Sequence, residues 1–165
     1  EVPFLRPKEL ATDNAKTIDA LIHAVKELEK RGSKYCYVVL LQPTQPLRKS
    51  WHIDEAIKKI VETNEESLVS VSEVKEHPIL MRTIGEDGKV KNLMEISSTV
   101  RRQDFPTFYK VNGAIYINKI NENFTNNTSL NDNKLAYLID KKYDLDIDEA
   151  VDLEFFKLFL RLNKS

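Results

Sequence analysis

The sequence predicts an α/β fold, three layers built around a mainly parallel, mixed central sheet. Three observations carry that expectation. Apolar runs of strand length at 35–41, 68–74, 114–117 and 135–139 alternate, in the first half of the chain, with segments whose apolar residues recur every three or four positions. The run Tyr37, Val38, Val39, Leu40, Leu41 stops abruptly in the polar, proline-stiffened stretch Gln42-Pro43-Thr44-Gln45-Pro46-Leu47-Arg48, and ligands of open α/β sheets bind beyond the carboxyl ends of the strands. With 165 residues, 41% of them hydrophobic, the chain is long enough for one domain with its own core.

The elements follow in order. Val2 to Leu5 reads as a short strand stopped by Pro7. Thr12, Asp13 or Asn14 caps a helix whose inner face is Ile18, Leu21, Ile22, Val25 and Leu28, and which ends near Gly32. After the strand at 35–41, Ser50 caps a second helix with Ile53, Ala56, Ile57, Ile60 and Val61 turned inward and Asp54 and Glu55 in its first turn. Leu68, Val69, Val71 and Val74 form the next strand, and 79–95 a hairpin around Asp87-Gly88. Residues 96–111 are polar and irregular, Ala114 to Ile117 a strand, and 121–134 a loop rich in Asn and Asp. A strand at 135–139 precedes a last helix capped by Asp148. That helix carries Val151, Leu153, Phe155, Phe156, Phe159, Leu160 and Leu162 on more than one face, which requires deep packing or cover by a partner. The arrangement is Rossmann-like and spans 1–165 as a single domain.

Composition narrows the function. Twenty-five basic and 26 acidic side chains leave a net charge of −1 with no basic block, so neither nucleic acid nor an anionic membrane surface is an expected partner. A small anionic ligand needs only a local cluster of cations. No apolar run approaches the length of a membrane span, and no signal peptide pattern is present. The one cysteine, Cys36, permits no intrachain disulfide and reads as a buried thiol, which suits a reducing cytoplasm.

The stretch LLQPTQPLR at 40–48 resembles the LLQPTSPLR-type motif of the acylneuraminate cytidylyltransferases, also called CMP-sialic acid synthetases. Four further segments agree in the same order: VPFLRPKELATD at 2–13, His77-Pro78, RRQDFPTFYKVNGAIYI at 101–117 and DLDIDEAVDLE at 144–154. The resemblance therefore covers the whole chain. It implies transfer of CMP from CTP to a nonulosonic acid, a nine-carbon acidic sugar, with release of pyrophosphate. It also implies Mg²⁺ as cofactor and a homodimer joined through the hairpin and loop at about 79–111. In that family a first strand and an Arg/Gly/Ser/Lys-rich loop that holds the triphosphate precede the VPFLRP segment. Here the only glycines are Gly32, Gly85, Gly88 and Gly113, and none forms such a loop. The chain is thus expected to be N-terminally truncated, the C-terminal two thirds of a nucleotidyltransferase domain, with little activity by itself. The competing reading is a non-catalytic module that binds a nucleotide or sugar nucleotide, which the missing phosphate loop favours.

The candidate residues follow from both sources. Asp146 and Asp148 lie two apart in an extended segment, which points their carboxylates the same way, and Mg²⁺ takes hard oxygen ligands. The spacing alone suits solvated helix capping better than metal binding; the resemblance reverses this and makes them the metal-binding, catalytic pair. Arg101 and Arg102 open a polar loop, and a guanidinium matches a carboxylate bidentately. The resemblance makes Arg102 a catalytic donor to the sugar or its phosphate neighbour. It also places Gln42 on the sugar, Arg6 near the nucleotide and Asn112 near the ribose, with Lys110 where some members have arginine. A local ion pair with Glu9 or Asp13 is the other reading of Arg6. Tyr116 packs on the sugar or fills the core. Some sialic acid-activating members follow His-Pro with a lysine that reaches the sugar. Here His77-Pro78 is followed by Ile79, Leu80, Met81 and Arg82, which leaves the acceptor open among sialic, legionaminic and pseudaminic acids.

Overall fold

The computed structural model describes residues 2–95 and 101–163, apart from the side chain of Arg102. Its centre is a four-stranded sheet in the order β1-β5-β2-β6, with β1 Tyr37–Leu40, β2 Ser67–Glu73, β5 Tyr109–Lys119 and β6 Leu135–Leu138. β1, β2 and β6 run in one direction and β5 against them. The sheet is mixed, as expected, but it is not mainly parallel in its pairing. Because the reversed strand lies inside rather than at the edge, two of its three pairings are antiparallel. The helices are α1 Thr17–Lys30, α2 Ser50–Thr63 and α3 Ala150–Leu162. β3 Arg82–Ile84 and β4 Val90–Asn92 form the expected hairpin, turned by Gly88 at φ 72.

The core lies between α2 and one face of the sheet. Alternation along the strands turns Val39, Leu68, Ile117, Tyr137 and Ile139 to that face, where Ile53, Ala56 and Ile60 of α2 meet them. Leu68, Ile115, Ile117, Ala56 and Ile60 are fully buried. The opposite parity puts Leu40, Val69 and Tyr116 on the other face, where Ile18 of α1 shares a cavity wall with Leu40 and Tyr116.

The decisive irregularity is a bulge in β5. Between the pairs Val69↔Tyr116 and Val71↔Val111, β2 advances two residues and β5 advances five. The looped-out segment contains Asn112, Gly113 and Ala114, with Gly113 at φ 76. Side chains replace the ladder bonds lost there. Ser70 Oγ accepts from Ile115 N–H at 2.8 Å and donates to Asn112 Oδ1 at 2.6 Å. Asn112 Oδ1 also accepts from Ala114 N–H at 3.1 Å. The buried polar groups are thereby paired.

Several local expectations are corrected. Residues 2–5 are not a strand: a strand needs an edge to pair with, Pro3 lacks a donor, and Phe4 packs edge-on against His23 of α1 with Arg31 over its ring. The N-caps are Lys16, Lys49 and Glu149 rather than residues 12–14, Ser50 and Asp148. In α2 and α3 the acceptor comes from the third helical residue reaching back: His52 Nδ1 takes Lys49 N–H at 3.0 Å, and Asp152 takes Glu149 N–H at 2.8 Å and Asp148 N–H at 3.0 Å. Cys36 is exposed, because it lies at the rim before β1 and only its carbonyl is engaged, by Ile120 N–H at 2.8 Å. α3 is not deeply packed: none of its residues is buried, and Phe155 stands 57% exposed. Of residues 96–111, 96–100 lie outside the described residues, and the strand expected at 114–117 already begins at Tyr109. Among the described residues no helix is long and apolar enough to cross a membrane.

Candidate functional site at the carboxyl edge of the sheet

The reversed direction of β5 has a chemical consequence. Its first residues stand at the edge where β1 and β6 end, so the start of β5, the loop after β1 and the segment after β6 converge. Gln42, Gln45, Lys110, Val111, Asn112, Gly113, Tyr116, Asn131 and Asp146 line a cavity of about 380 Å³ there. Five of the eight residues singled out from the sequence, Gln42, Lys110, Asn112, Tyr116 and Asp146, meet in this space.

Backbone ties hold the three segments together. Arg48 Nη1 donates to Gln42 O at 3.1 Å and to Ala114 O at 2.8 Å, clamping the loop to the bulge. Burial lowers the pKa of its guanidinium from the ordinary value, and the two carbonyls supply the acceptors that burial removes. Ile147 N–H donates to Thr44 O at 2.9 Å, fastening the 144–148 segment to the same loop. At Gly113 an added Cβ would overlap the Gln42 side-chain oxygen, so the bare backbone is what lets that amide lie against the bulge.

The side chains divide by what they already contact. The Asn112 amide is buried and engaged within the sheet by Ser70, Ser72 and Ala114. Tyr116 is buried, and its hydroxyl donates to Asn131 Oδ1 at 2.9 Å. Burial first, and the negative charge of Asp146 second, raise its pKa, so the phenol stays protonated. Lys110 Nζ lies 3.0 Å from Asp144 Oδ2, with the lysine half exposed to the cavity and the aspartate side chain only 2% exposed. Asp144 Oδ1 is buried without a hydrogen-bond partner. Asp146 is exposed at the cavity mouth and has no hydrogen bond or ion pair among the described residues.

The other three stand apart. Asp148 is exposed just before α3 and is not in the cavity wall. Arg6 is exposed and pairs with neither Glu9 nor Asp13. The backbone of Arg102 begins a 3-10 turn, Arg102–Asp104, and its side chain lies outside the described residues. Arg82 donates to Ile79 O at 2.7 Å and Met81 O at 2.8 Å, fixing the turn before the hairpin. His77 bridges Ile79 N–H and Pro106 O, a structural role. Among the described residues there is no group of three or more His, Cys, Asp and Glu that could hold a metal ion. A magnesium site needs no such group, because Mg²⁺ uses one or two carboxylates together with substrate phosphates and water.

The sequence assigned no role to Gln45, Asp144 or Asn131. Gln45 and Asp144 lie within the motifs at 40–48 and 144–154, but nothing in their spacing sets them apart from the polar residues beside them. Asn131 lies in a loop that is Asn-rich throughout.

Comparison with known proteins follows the same lines. No family model matches the chain. N-acylneuraminate cytidylyltransferase of Streptococcus agalactiae serotype V is 34% identical over 148 residues, covering 90% of this chain; the chain spans only 35% of that relative's length. CMP-N,N'-diacetyllegionaminic acid synthase of Legionella pneumophila is 30% identical over 166 residues, covering 99% of this chain and 71% of that protein. Among solved structures, 4-diphosphocytidyl-2C-methyl-D-erythritol synthase from Anaerococcus prevotii superposes with a TM-score of 0.56 at 12% identity, over 90% of this chain and 68% of its own, which establishes a shared fold alone. A relative matched along the whole of this chain and most of its own leads to one conclusion: the chain belongs to the family of CMP-sugar cytidylyltransferases that the legionaminic acid synthase represents.

Proposed function

We propose that this chain forms the sugar-binding and metal-binding part of a cytidylyltransferase that transfers CMP from CTP to a nonulosonic acid. The anomeric hydroxyl oxygen attacks the α-phosphorus, the bond from that phosphorus to the bridging oxygen breaks, and pyrophosphate leaves as the hydroxyl proton is lost. The observation that carries this reading is the meeting of Gln42, Lys110, Tyr116 and Asp146 in one cavity at the carboxyl edge of the sheet. Gln42 orients the sugar, Lys110 supplies positive charge toward an anionic ligand, and Tyr116 forms a wall with its proton retained. Asp146 and Asp148 would hold Mg²⁺ between protein and phosphates, and their donor set suits it: hard oxygens, both exposed, two residues apart. The bound ion supplies charge neutralisation at the α-phosphate. Arg6 and Arg102 complete the reading as cations on the nucleotide and the sugar carboxylate, Asn112 as the residue beside the ribose, and the hairpin and loop at about 79–111 as the seam of a homodimer.

The full-length protein should release pyrophosphate from CTP only when Mg²⁺ and a nonulosonic acid are both present. Equal release with ATP, or none with any nine-carbon keto acid, would overturn the reading. Asp146→Asn should lower turnover about a hundredfold or more while nucleotide affinity stays within a few-fold, because charge stabilisation is needed most in the transition state. Unchanged turnover at saturating Mg²⁺ would remove Asp146 from the metal.

A further inference from the structure

Gln45 is the one residue of the cavity wall that is both buried and without a partner. It is 2% exposed, and no hydrogen bond reaches its side chain. Its Oε1 is a buried acceptor lacking a donor. The other buried polar groups of the wall are engaged: Asn112 by Ser70 and Ser72, the Tyr116 hydroxyl by Asn131. A buried amide that finds no protein partner is costly unless something else completes it.

The backbone around Gln45 leaves it little freedom. Pro43 and Pro46 flank it, Leu47 behind it is buried, and Arg48 anchors the loop to the bulge. Gln45 N–H turns back to Gln42 O at 3.4 Å. Gly113 stands beside it; a Cβ there would lie 3.9 Å from Gln45 Cγ and overlap Gln42. The missing side chain at 113 lets the Gln42 amide lie against the bulge beside Gln45. This is a rigid mount for a polar group, with its complement missing from the protein.

We propose that Gln45 determines specificity for the sugar: its side-chain oxygen accepts a hydrogen bond from one hydroxyl or acylamino N–H of the bound nonulosonic acid, and the site rejects acids that lack that donor. The inference rests on the function proposed above and adds a residue and a recognised group to it. A site built to hydrogen-bond a substrate group discriminates strongly against the analogue without it, because its own polar atom is then left unpaired.

The test compares wild type with Gln45→Met, which keeps the volume and removes the amide, in the full-length protein. kcat/KM is measured for a panel of nine-carbon 2-keto acids that differ at single positions in a hydroxyl, an acylamino group or hydrogen. Wild type should favour one donor-bearing acid, and Gln45→Met should lower kcat/KM for that acid about tenfold, the worth of one hydrogen bond. The penalty should disappear for the analogue lacking the donor, and KM for CTP should stay within about threefold, which also reports an intact fold. Gln45→Ala serves as a second variant if Gln45→Met does not fold, with the same expectation. Equal losses across the panel, an equal loss for CTP, or no loss at all would overturn the role of Gln45 while leaving the cytidylyltransferase reading standing. A wild type that uses none of the acids would overturn both.

Discussion

Gly113 sets the shape of the cavity from a single backbone position. Its φ of 76 belongs to the left-handed region, and the space a side chain would take is already held by Gln42. Gly113→Ala meets both penalties. It should destabilise the fold by about 1–3 kcal/mol, measured by urea denaturation, from the backbone conformation alone. It should also raise KM for the sugar well above any change for CTP, since the Gln42 amide is the group displaced. Equal stability and unchanged KM would mean that the loop gives way around the new methyl group. Lys110 and Asp144 illustrate the same economy of position: a carboxylate with its side chain 2% exposed holds a half-exposed ammonium at the cavity, a contact that spacing along the chain cannot reveal, since Lys110 lies at the start of β5 and Asp144 follows the 3-10 turn Lys141–Tyr143 beyond β6.

Elements act through the bulge and through α2. Ser70 stands where β2 and β5 lose register and replaces the missing backbone partner of Ile115. Ser70→Ala leaves Ile115 N–H without an acceptor and deprives Asn112 of a donor, both in a buried setting. The expected cost is about 1–3 kcal/mol, with the site loosened in proportion; a denaturation midpoint equal to wild type would show that the bulge does not depend on the serine. In α2, His52 is 1% exposed and its Nδ1 already accepts from Lys49 N–H. Burial, the largest influence, lowers its pKa below the ordinary 6.5, with the Glu55 charge opposing it. The sign follows directly. Above 6.5 both folded and unfolded chains hold the imidazole neutral; below it the unfolded chain takes up a proton that the folded one resists, so stability falls as pH drops from 6.5 toward the depressed value. Urea midpoints across that window should decline in wild type and decline less in His52→Asn, which keeps an acceptor for Lys49. An identical slope in both would clear His52 of the effect.

For the molecule as a whole, the unpartnered surfaces matter most. α3 exposes Val151, Phe155, Leu158 and Leu162, and the hairpin exposes Ile84 and Val90. β1 and β6 are both sheet edges among the described strands. The 165-residue chain is therefore expected to pair with a second copy, read by light scattering over a concentration series. A monomer at every concentration would defeat this. A dimer that survives Phe155→Ser but is lost when the hairpin is shortened would put the seam at 79–111 and remove α3 from the pairing surface.

What the sequence determined by itself is what neighbours along the chain decide. Apolar period and turn chemistry were enough for α1, α2, the hairpin at Gly88, and the strands at 37–40 and 67–73, because these depend on local spacing. The motif order pointed to the family, and five of the residues named from the motifs line one cavity. Only the tertiary structure decided the rest. That β5 runs backwards between β1 and β2 cannot be read from its own residues, since strand direction is a property of pairing. The same holds for the bulge, which exists because Ser70 and Asn112 complete bonds across two strands 42 residues apart in sequence. It holds for residues 2–5, whose strand propensity found no edge, and for α3, whose apolar faces promised burial that the described chain does not provide. Gln45 and Asp144 became visible only when burial and the accounting of hydrogen bonds left an oxygen of each without a partner. Propensity acts over a few residues, while satisfaction of a polar atom is settled by whatever the whole fold brings beside it.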